Sequence, residues 1–286
     1  MATHVEQHYV PRFLLEQWHS GADQKLCSMR WAHKKLDAQR YKAKSVARMA
    51  HLYSYLNRQG EYDVRIERDF LGPHIDEPAA EVHRFLLTTG LKPLTDEQHR
   101  AWTYFLVSLL IRTPEMVDRL RTVGRASLTE QLERDPEDFN AVRGGAPESS
   151  LLQWFNAREP NFLDSFGIKT MPDLIRMELF TKRFIGGKTW VLRGVSGAKH
   201  SLLIGDRPLL QGGDLQGDYL FALPIAPGLL FAVASGPEVA KEVAETGIGD
   251  LVKRVNDQTV KQAHTWVYGV GSSQMRFLRN RLARRR

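Results

Sequence analysis

Apolar positions along the chain follow two different periods, and the changes between them mark out the elements. Phe13, Leu14 and Trp18 follow Pro11 at helical spacing, which predicts a short helix there. Pro11 lacks an N–H and biases Val10 toward extended geometry, so His8-Tyr9-Val10 is expected to enter the fold as a stiff extended segment. Residues 25–32 alternate as a strand, a polar turn at 33–37 follows, and 40–44 reads as the return strand. Residues 45–50 read as a connector and 51–56 as a third strand, ending by Gly60. From 63 to 135 the period is helical: Val64, Phe70 and Leu71 lie in a first segment, and Ile75, Ala79, Val82 and Leu86 share one face of a second over 74–87.

Thr95-Asp96-Glu97-Gln98 is a capping box and opens a third helix, very apolar from Trp102 to Ile111 and closed by Arg112. Pro114 suits the first turn of the next, where a missing N–H costs nothing. Residues 135–150, with Gly144-Gly145-Ala146-Pro147, read as a linker, and 151–166 and 172–184 continue the helical layer until Gly186-Gly187. Residues 189–193 and 200–204 read as a hairpin joined through Gly194 and Gly197, and 219–223 and 229–235 as further strands around a proline-rich corner. Helices over 237–245 and 249–264, a strand over 265–270 and a helix over 272–284 close the chain. This order lacks regular βαβ alternation, so it predicts an α+β fold with an antiparallel sheet flanked by helices. It is expected to form a single domain over 1–286, with a basic β region (25–60), a helical middle (63–184) and a C-terminal strand and helix part (188–286).

Composition narrows the class. With 42% hydrophobic and 26% charged residues over 286, the chain reads as a soluble globular protein able to bury a sizeable core. The start, 1–7, has no apolar leader, and the longest apolar run, 221–234, is broken by Pro224, Pro227 and Gly228, so no membrane association and a cytoplasmic location are expected. Cys27 is the only cysteine, which excludes an intrachain disulfide and a cysteine-built metal site.

Charge is unevenly distributed along the chain. Lys25, Arg30, Lys34, Lys35, Arg40, Lys42, Lys44 and Arg48 face Asp37 alone within 25–48, and 276–286 holds Arg276, Arg279, Arg281, Arg284, Arg285 and Arg286 without an acid. Together these exceed the net charge of +7, so the remaining chain is acidic and the two patches point to a polyanionic partner such as nucleic acid. The plainer reading of the tail is a solvated helix end. Tyr53 and Tyr55 share a strand face by spacing, which is ordinarily packing and alternatively a base-stacking surface.

Candidate chemistry is sparse. Gly186-Gly187-Lys188-Thr189 lacks the earlier glycine of a phosphate-binding loop and precedes a strand, and no Gly-x-Ser-x-Gly is present. His4 and His8 have helical spacing in a segment expected to be extended. Arg112, emerging from an apolar helix, needs a matched acceptor, either an internal carboxylate (Asp76, Glu77 or Asp206) or a bound phosphate. Asp206, at a strand end before Arg207-Pro208, is either a functional side chain or a turn cap. A divalent metal held by His8, Asp76 and Asp206 stays open.

The string His8-Tyr9-Val10-Pro11-Arg12-Phe13-Leu14 resembles the HYVP signature of domain-of-unknown-function family 4238, a bacterial family. Arg112-Thr113-Pro114 resembles its "RTP", Gly205-Asp206-Arg207-Pro208 its "SDxP" with Gly205 in place of the usual serine, 223–227 its "LPLSP", and 256–268 its closing helix and strand. Asp76 falls about where the family's helix carries a buried acid. The resemblance covers nearly the whole chain and implies candidate residues without implying a reaction. Two functions follow from the residues. One is a nuclease-like phosphodiesterase, with His8 as general acid or base, Tyr9 and Asp206 orienting it, Arg112 on the phosphate, and Arg30, Lys34, Lys35, Arg40, Lys42, Arg279 and Arg284 to Arg286 guiding the strand. The other is a binding module for nucleic acid or an acidic protein in which the HYVP segment is a clasp.

Overall fold

A computed structural model describes residues 5–134, 144–145 and 147–283 and shows a mixed α+β fold built on antiparallel sheets. The chain opens with β1 (Glu6–His8), α1 (Arg12–Leu15), the hairpin β2 (Leu26–Ala32) and β3 (Lys35–Tyr41), β4 (Arg48–Ala50), and the small hairpin β5 (Tyr55–Leu56) and β6 (Tyr62–Asp63). A π-helix (Ile66–Asp76) runs directly into α2 (Glu77–Thr89), followed by α3 (Asp96–Ile111), α4 (Pro114–Arg134), α5 (Leu151–Arg158), α6 (Phe162–Lys169) and α7 (Met171–Arg176). The remainder holds β7 (Thr189–Gly194), β8 (Ile204–Gly205), β9 (Leu210–Gly213), β10 (Tyr219–Ala226), β11 (Leu229–Ala234), α8 (Pro237–Glu245), α9 (Ile248–Gln262), β12 (Val267–Gly269) and α10 (Met275–Arg279).

Two four-stranded sheets, in the orders β3-β2-β12-β8 and β7-β11-β10-β9, carry the architecture, with β1-β4 and β5-β6 as separate pairs. The first sheet joins the beginning of the chain to its end. Trp18 reinforces the link: its buried indole donates to the Leu202 carbonyl at 2.8 Å. The capping box at Thr95 forms in both directions, and α3 buries Trp102, Phe105, Leu106, Val107 and Leu109. Trp102 meets Phe231 of β11 edge-on at 5.5 Å, so this apolar helix packs on the second sheet. No helix among the described residues is long and apolar enough to cross a membrane.

Several expected boundaries moved for identifiable reasons. The return strand begins at Lys35 because His33 and Lys34 both take positive φ, 44° and 69°, and close the hairpin as a two-residue turn without the usual Gly or Asn. The expected connector at 45–50 contains β4, which pairs with β1, and the expected third strand shrinks to Tyr55–Leu56 because His51, at φ 54°, turns the chain. The hairpin expected over 189–204 does not form: β7 pairs with β11, whereas Ile204–Gly205 joins the other sheet against β12. Leu202, Leu203 and Ile204 are all buried, so this stretch is a run needing cover on both sides. Its amides are met by the Pro227 carbonyl and by Asn256 Oδ1, which accepts from Leu203 at 2.8 Å. The last helix is shorter than expected, and most of the expected 135–150 linker lies outside the described residues.

Candidate functional site

Beside α1 the chain builds a buried polar cluster around one arginine. Pro11, at φ −56° and ψ 139°, holds the turn from β1 into α1, and Val10, Leu14 and Trp18 sink into the core. This fixes the His8 carbonyl close to the end of α3, where Arg112 is 0% exposed. Its Nη1 and Nη2 donate to Asp76 Oδ1 and Oδ2 at 2.7 and 3.0 Å, a bidentate pair, and Nη2 also donates to the His8 carbonyl at 3.1 Å. The Tyr53 hydroxyl lies within reach of two carbonyls, Arg112 O at 2.8 Å and His8 O at 3.3 Å. Gln7 Nε2 donates to Ser54 Oγ at 3.0 Å, so the strand before the motif is bound to the same turn. Of the three carboxylates sequence offered Arg112, the fold selects Asp76.

The π-helix adds a residue that sequence reading missed. Glu67 and Asp76 are nine positions apart. At about 3.6 residues per turn they would fall on opposite faces. With i→i+5 bonding, at about 4.4 residues per turn, nine residues close roughly two turns, so both carboxylates face the same side. The sequence supports this register locally: Pro73 has no N–H to donate, and a Cβ on Gly72 would meet the Glu67 carbonyl at 3.3 Å. Burial pushes the Glu67 carboxyl up to about 7; Arg112 pulls it down, and the Asp76 charge adds to the rise. Burial also lowers the His8 imidazole, offset in part by a hydrogen bond with the Lys44 backbone and assisted by Arg112 and Arg48. Among the described residues, His8 Nε2, Glu67 Oε2 and Arg112 Nε are buried atoms without a hydrogen-bond partner.

Asp206 belongs to a different constellation. At 5% exposure, its Oδ1 accepts from the His264 N–H at 2.7 Å, and its Oδ2 from Thr265 and Trp266 at 2.6 and 2.8 Å. Burial raises its carboxyl above the ordinary value, the three backbone N–H groups oppose that shift, and Glu115 adds to it. It therefore holds the turn into β12, and its oxygens are committed to the main chain. Asp206→Ala is expected to cost about 1–3 kcal/mol by leaving those N–H groups unmet. A chemical denaturation midpoint checks this, and an unchanged midpoint would contradict the assignment. A serine at Gly205 would find ordinary contacts, 3.5 Å to Ala263 Cβ and to the Thr259 carbonyl.

Tyr9 points to the Asp206 side. Burial raises its hydroxyl strongly, the Asp206 charge adds to that rise, and the nearby Tyr268 opposes it. Glu115 stands nearby, its Oε1 2.7 Å from His264 Nδ1 and its Oε2 3.4 Å from Arg207. The fold thus brings His8, Arg112 and Asp76 together with Glu67, and Tyr9 with Asp206, Tyr268 and Glu115; Asp206 shares no hydrogen bond or ion pair with His8 or Arg112. Asp76 and Asp206, the candidate metal ligands, sit in separate groups. Among the described residues no three His, Cys, Asp or Glu side chains are placed to hold a metal ion. His4 lies outside the described residues.

The basic candidates divide between scaffold and surface. Arg40 is a scaffold residue: it makes two hydrogen bonds to Asp23, at 3.0 and 2.6 Å, and reaches the carbonyls of Ser20 and Lys25. The Arg30 guanidinium lies 4.3 Å from the Trp266 ring centre, and Arg30 stands opposite Asp37 in the hairpin. Lys34, Lys35, Lys42 and Arg279 are exposed; Arg284, Arg285 and Arg286 lie outside the described residues. The two basic segments pack together, because Met275, Phe277, Leu278 and Leu282 cover the apolar face carrying Cys27, Met29, Trp31 and Leu36. The Trp31 indole donates to Leu282 O at 2.8 Å. Tyr53 is core, and Tyr55 lies under the Lys169 ammonium at 4.6 Å, so both tyrosines pack internally.

A family model described as "Protein of unknown function (DUF4238)" matches residues 6–272. No curated protein and no solved structure matches the chain.

Proposed function

The chain belongs to the DUF4238 family, and we propose that it is a nucleic-acid-binding module in which the HYVP segment serves as an internal clasp. One observation carries the reading: Arg112 is wholly buried and its two terminal nitrogens are spent on Asp76 and the His8 carbonyl. A phosphate clamp at Arg112 would have to break that pair inside the core, at a cost of several kcal/mol. Of the basic candidates, those open to solvent lie on the β2–β3 hairpin, just after it and on the C-terminal helix, and the hairpin and that helix pack against each other. The proposed module acts as one domain over 1–286 in the cytoplasm, with the acidic body keeping strand contacts to the basic side.

A second reading, a phosphodiesterase, is favoured by the unpartnered Nε2 of a neutral-leaning His8 and by the protonatable Glu67, both of which neighbour Arg112 and Asp76. There His8 and Glu67 would share the proton work, and Arg112 would hold His8 in place through its main chain.

Labelled single-stranded RNA, single-stranded DNA and duplex DNA, incubated with Mg²⁺, Mn²⁺ or chelator, separate the two. The module reading expects binding without cleavage. It also expects His8→Ala to lower the thermal midpoint while leaving affinity within about twofold. Cleavage that vanishes in His8→Ala while the melting curve is unchanged would establish the phosphodiesterase.

A further inference from the structure

Outside the motif cluster, a cavity of about 510 Å³ opens between α9, the loop at 198–200 and α10. Its charged walls have one sign. Lys199, His200, Lys253, Arg276 and Arg281 line it, and no Asp or Glu does. Among the described residues Arg281 has Asp257 at 2.5 Å, and no carboxylate lies within ion-pair distance of Lys199, Lys253 or Arg276. Three like charges without a carboxylate partner converge there from three segments and repel one another, and an anion between them relieves that repulsion.

The walls are held in place. Asn256, 2% exposed on α9, accepts from the Leu203 N–H and donates to Ser201 O at 2.9 Å and to Gln274 Oε1 at 3.0 Å. Gln274, just before α10, donates to Ser201 O at 3.0 Å. These two buried amides tie the loop, α9 and α10 together, so the basic groups stand on fixed backbone. The first turns of α9 border the cavity at Gly249, Val252 and Lys253, and their partial positive charge adds to the field. Phe277 supplies an aromatic wall, with the Arg281 guanidinium 4.1 Å from its ring centre.

We propose that this cavity binds one nucleotide unit of a single-stranded nucleic acid. Its phosphate lies between Lys199, Lys253 and Arg276, and its base stacks against the Phe277 and Arg281 pair. Three cationic donors suit a phosphate, and an aromatic face beside a guanidinium suits a base of any sequence. The site's concavity fits an unpaired unit and keeps out the width of a duplex. The inference rests on the nucleic-acid reading for its ligand class and adds to it a place.

The test is fluorescence anisotropy of the full chain with a labelled single-stranded RNA over a salt series. The proteins are wild type, Lys253→Glu with Arg276→Glu, Lys253→Gln with Arg276→Gln, and Arg84→Glu with Lys92→Glu as a control at exposed positions outside both basic segments; circular dichroism verifies folding. Both cavity positions are exposed, so folding is expected to survive. The glutamate pair is expected to weaken binding about tenfold or more and to lower the salt slope by about 0.7, the value for the one phosphate charge the cavity no longer neutralises. The glutamine pair should act in the same direction by a smaller factor, and the control should weaken binding less than either. Adenosine monophosphate should displace the strand at concentrations where inorganic phosphate does not. Equal displacement by the two would overturn the stacking arm. Wild-type binding with an unchanged affinity in both cavity pairs would overturn the site and leave the nucleic-acid reading standing. No strand binding by wild type at low salt would overturn both.

Discussion

Asp76→Ala is expected to lower the unfolding free energy by about 3–5 kcal/mol, because it leaves a fully buried guanidinium without its carboxylate. Arg112 is 0% exposed and the Asp76 side chain 23%, so the charge left behind is the one that water cannot reach. The remaining partner among the hydrogen bonds is the His8 carbonyl at 3.1 Å, too little to offset the desolvated charge. Urea unfolding followed by tryptophan fluorescence measures the loss. Asp76→Asn, which keeps an acceptor and drops the charge, should cost less. Replacing both partners with apolar residues, Asp76→Leu with Arg112→Met, should recover part of the stability, since the penalty arises from the orphaned charge. A cost below about 1 kcal/mol for Asp76→Ala would show that the pair does not hold the clasp together.

Glu67→Gln should act in the opposite direction. The folded carboxyl titrates near 7 against an ordinary value of 4.5, so between those values the folded chain holds a proton that the unfolded chain has released. Unfolding therefore releases a proton in that window, and the contribution of Glu67 to stability falls as pH rises from about 4.5 to 7 and then levels off. The shift corresponds to about 3 kcal/mol of destabilisation above pH 7 as an upper figure. Glutamine carries no such cost, so Glu67→Gln is expected to be about 1–3 kcal/mol more stable than wild type at pH 8 and nearly equal at pH 4. Melting curves of both proteins across that range report the difference, which cancels groups common to the two. Parallel profiles would mean that Glu67 does not titrate in the folded state as its surroundings imply.

The two substitutions should also couple. Asp76 raises the Glu67 carboxyl and Arg112 lowers it, so removing Asp76 leaves Glu67 as the nearby acid that can ionise against Arg112. Asp76→Ala combined with Glu67→Gln should then be worse than the sum of the separate effects, because the substitute counter-charge is removed as well. Such coupling would also mark Glu67 as part of the clasp in the module reading.

Much of the secondary structure was legible because its causes lie within a few residues. The capping box at Thr95 to Gln98, Pro237 in the first turn of α8 and the apolar runs of β10 and β11 each specify an element through local hydrogen bonding or burial. The polar and aromatic density of the HYVP segment was legible too, as was the need of Arg112 for an acceptor. Residue types and their local spacing suffice for the inventory: an α+β chain, a buried arginine, an Asp at a strand end and two basic segments.

Which of these groups meet depends on long-range packing. Asp76, Glu77 and Asp206 are all candidates for Arg112 by sequence, and choosing among them needs the packing of α3 against the π-helix. Glu67 escaped notice because helical periodicity at 3.6 places it opposite Asp76, and the wider register that unites them depends on Pro73 and Gly72 within a packed helix. Strand pairing was equally hidden: β7 takes β11, and Ile204–Gly205 takes β12, since an apolar run accepts any partner that covers it. The basic cavity joins Lys199, Lys253 and Arg276, residues far apart in sequence and brought together by two buried amides, Asn256 and Gln274. Local chemistry sets which groups a chain contains and how its backbone winds; the contacts that give those groups a charge state and a partner form between distant segments, and burial in the assembled core selects them.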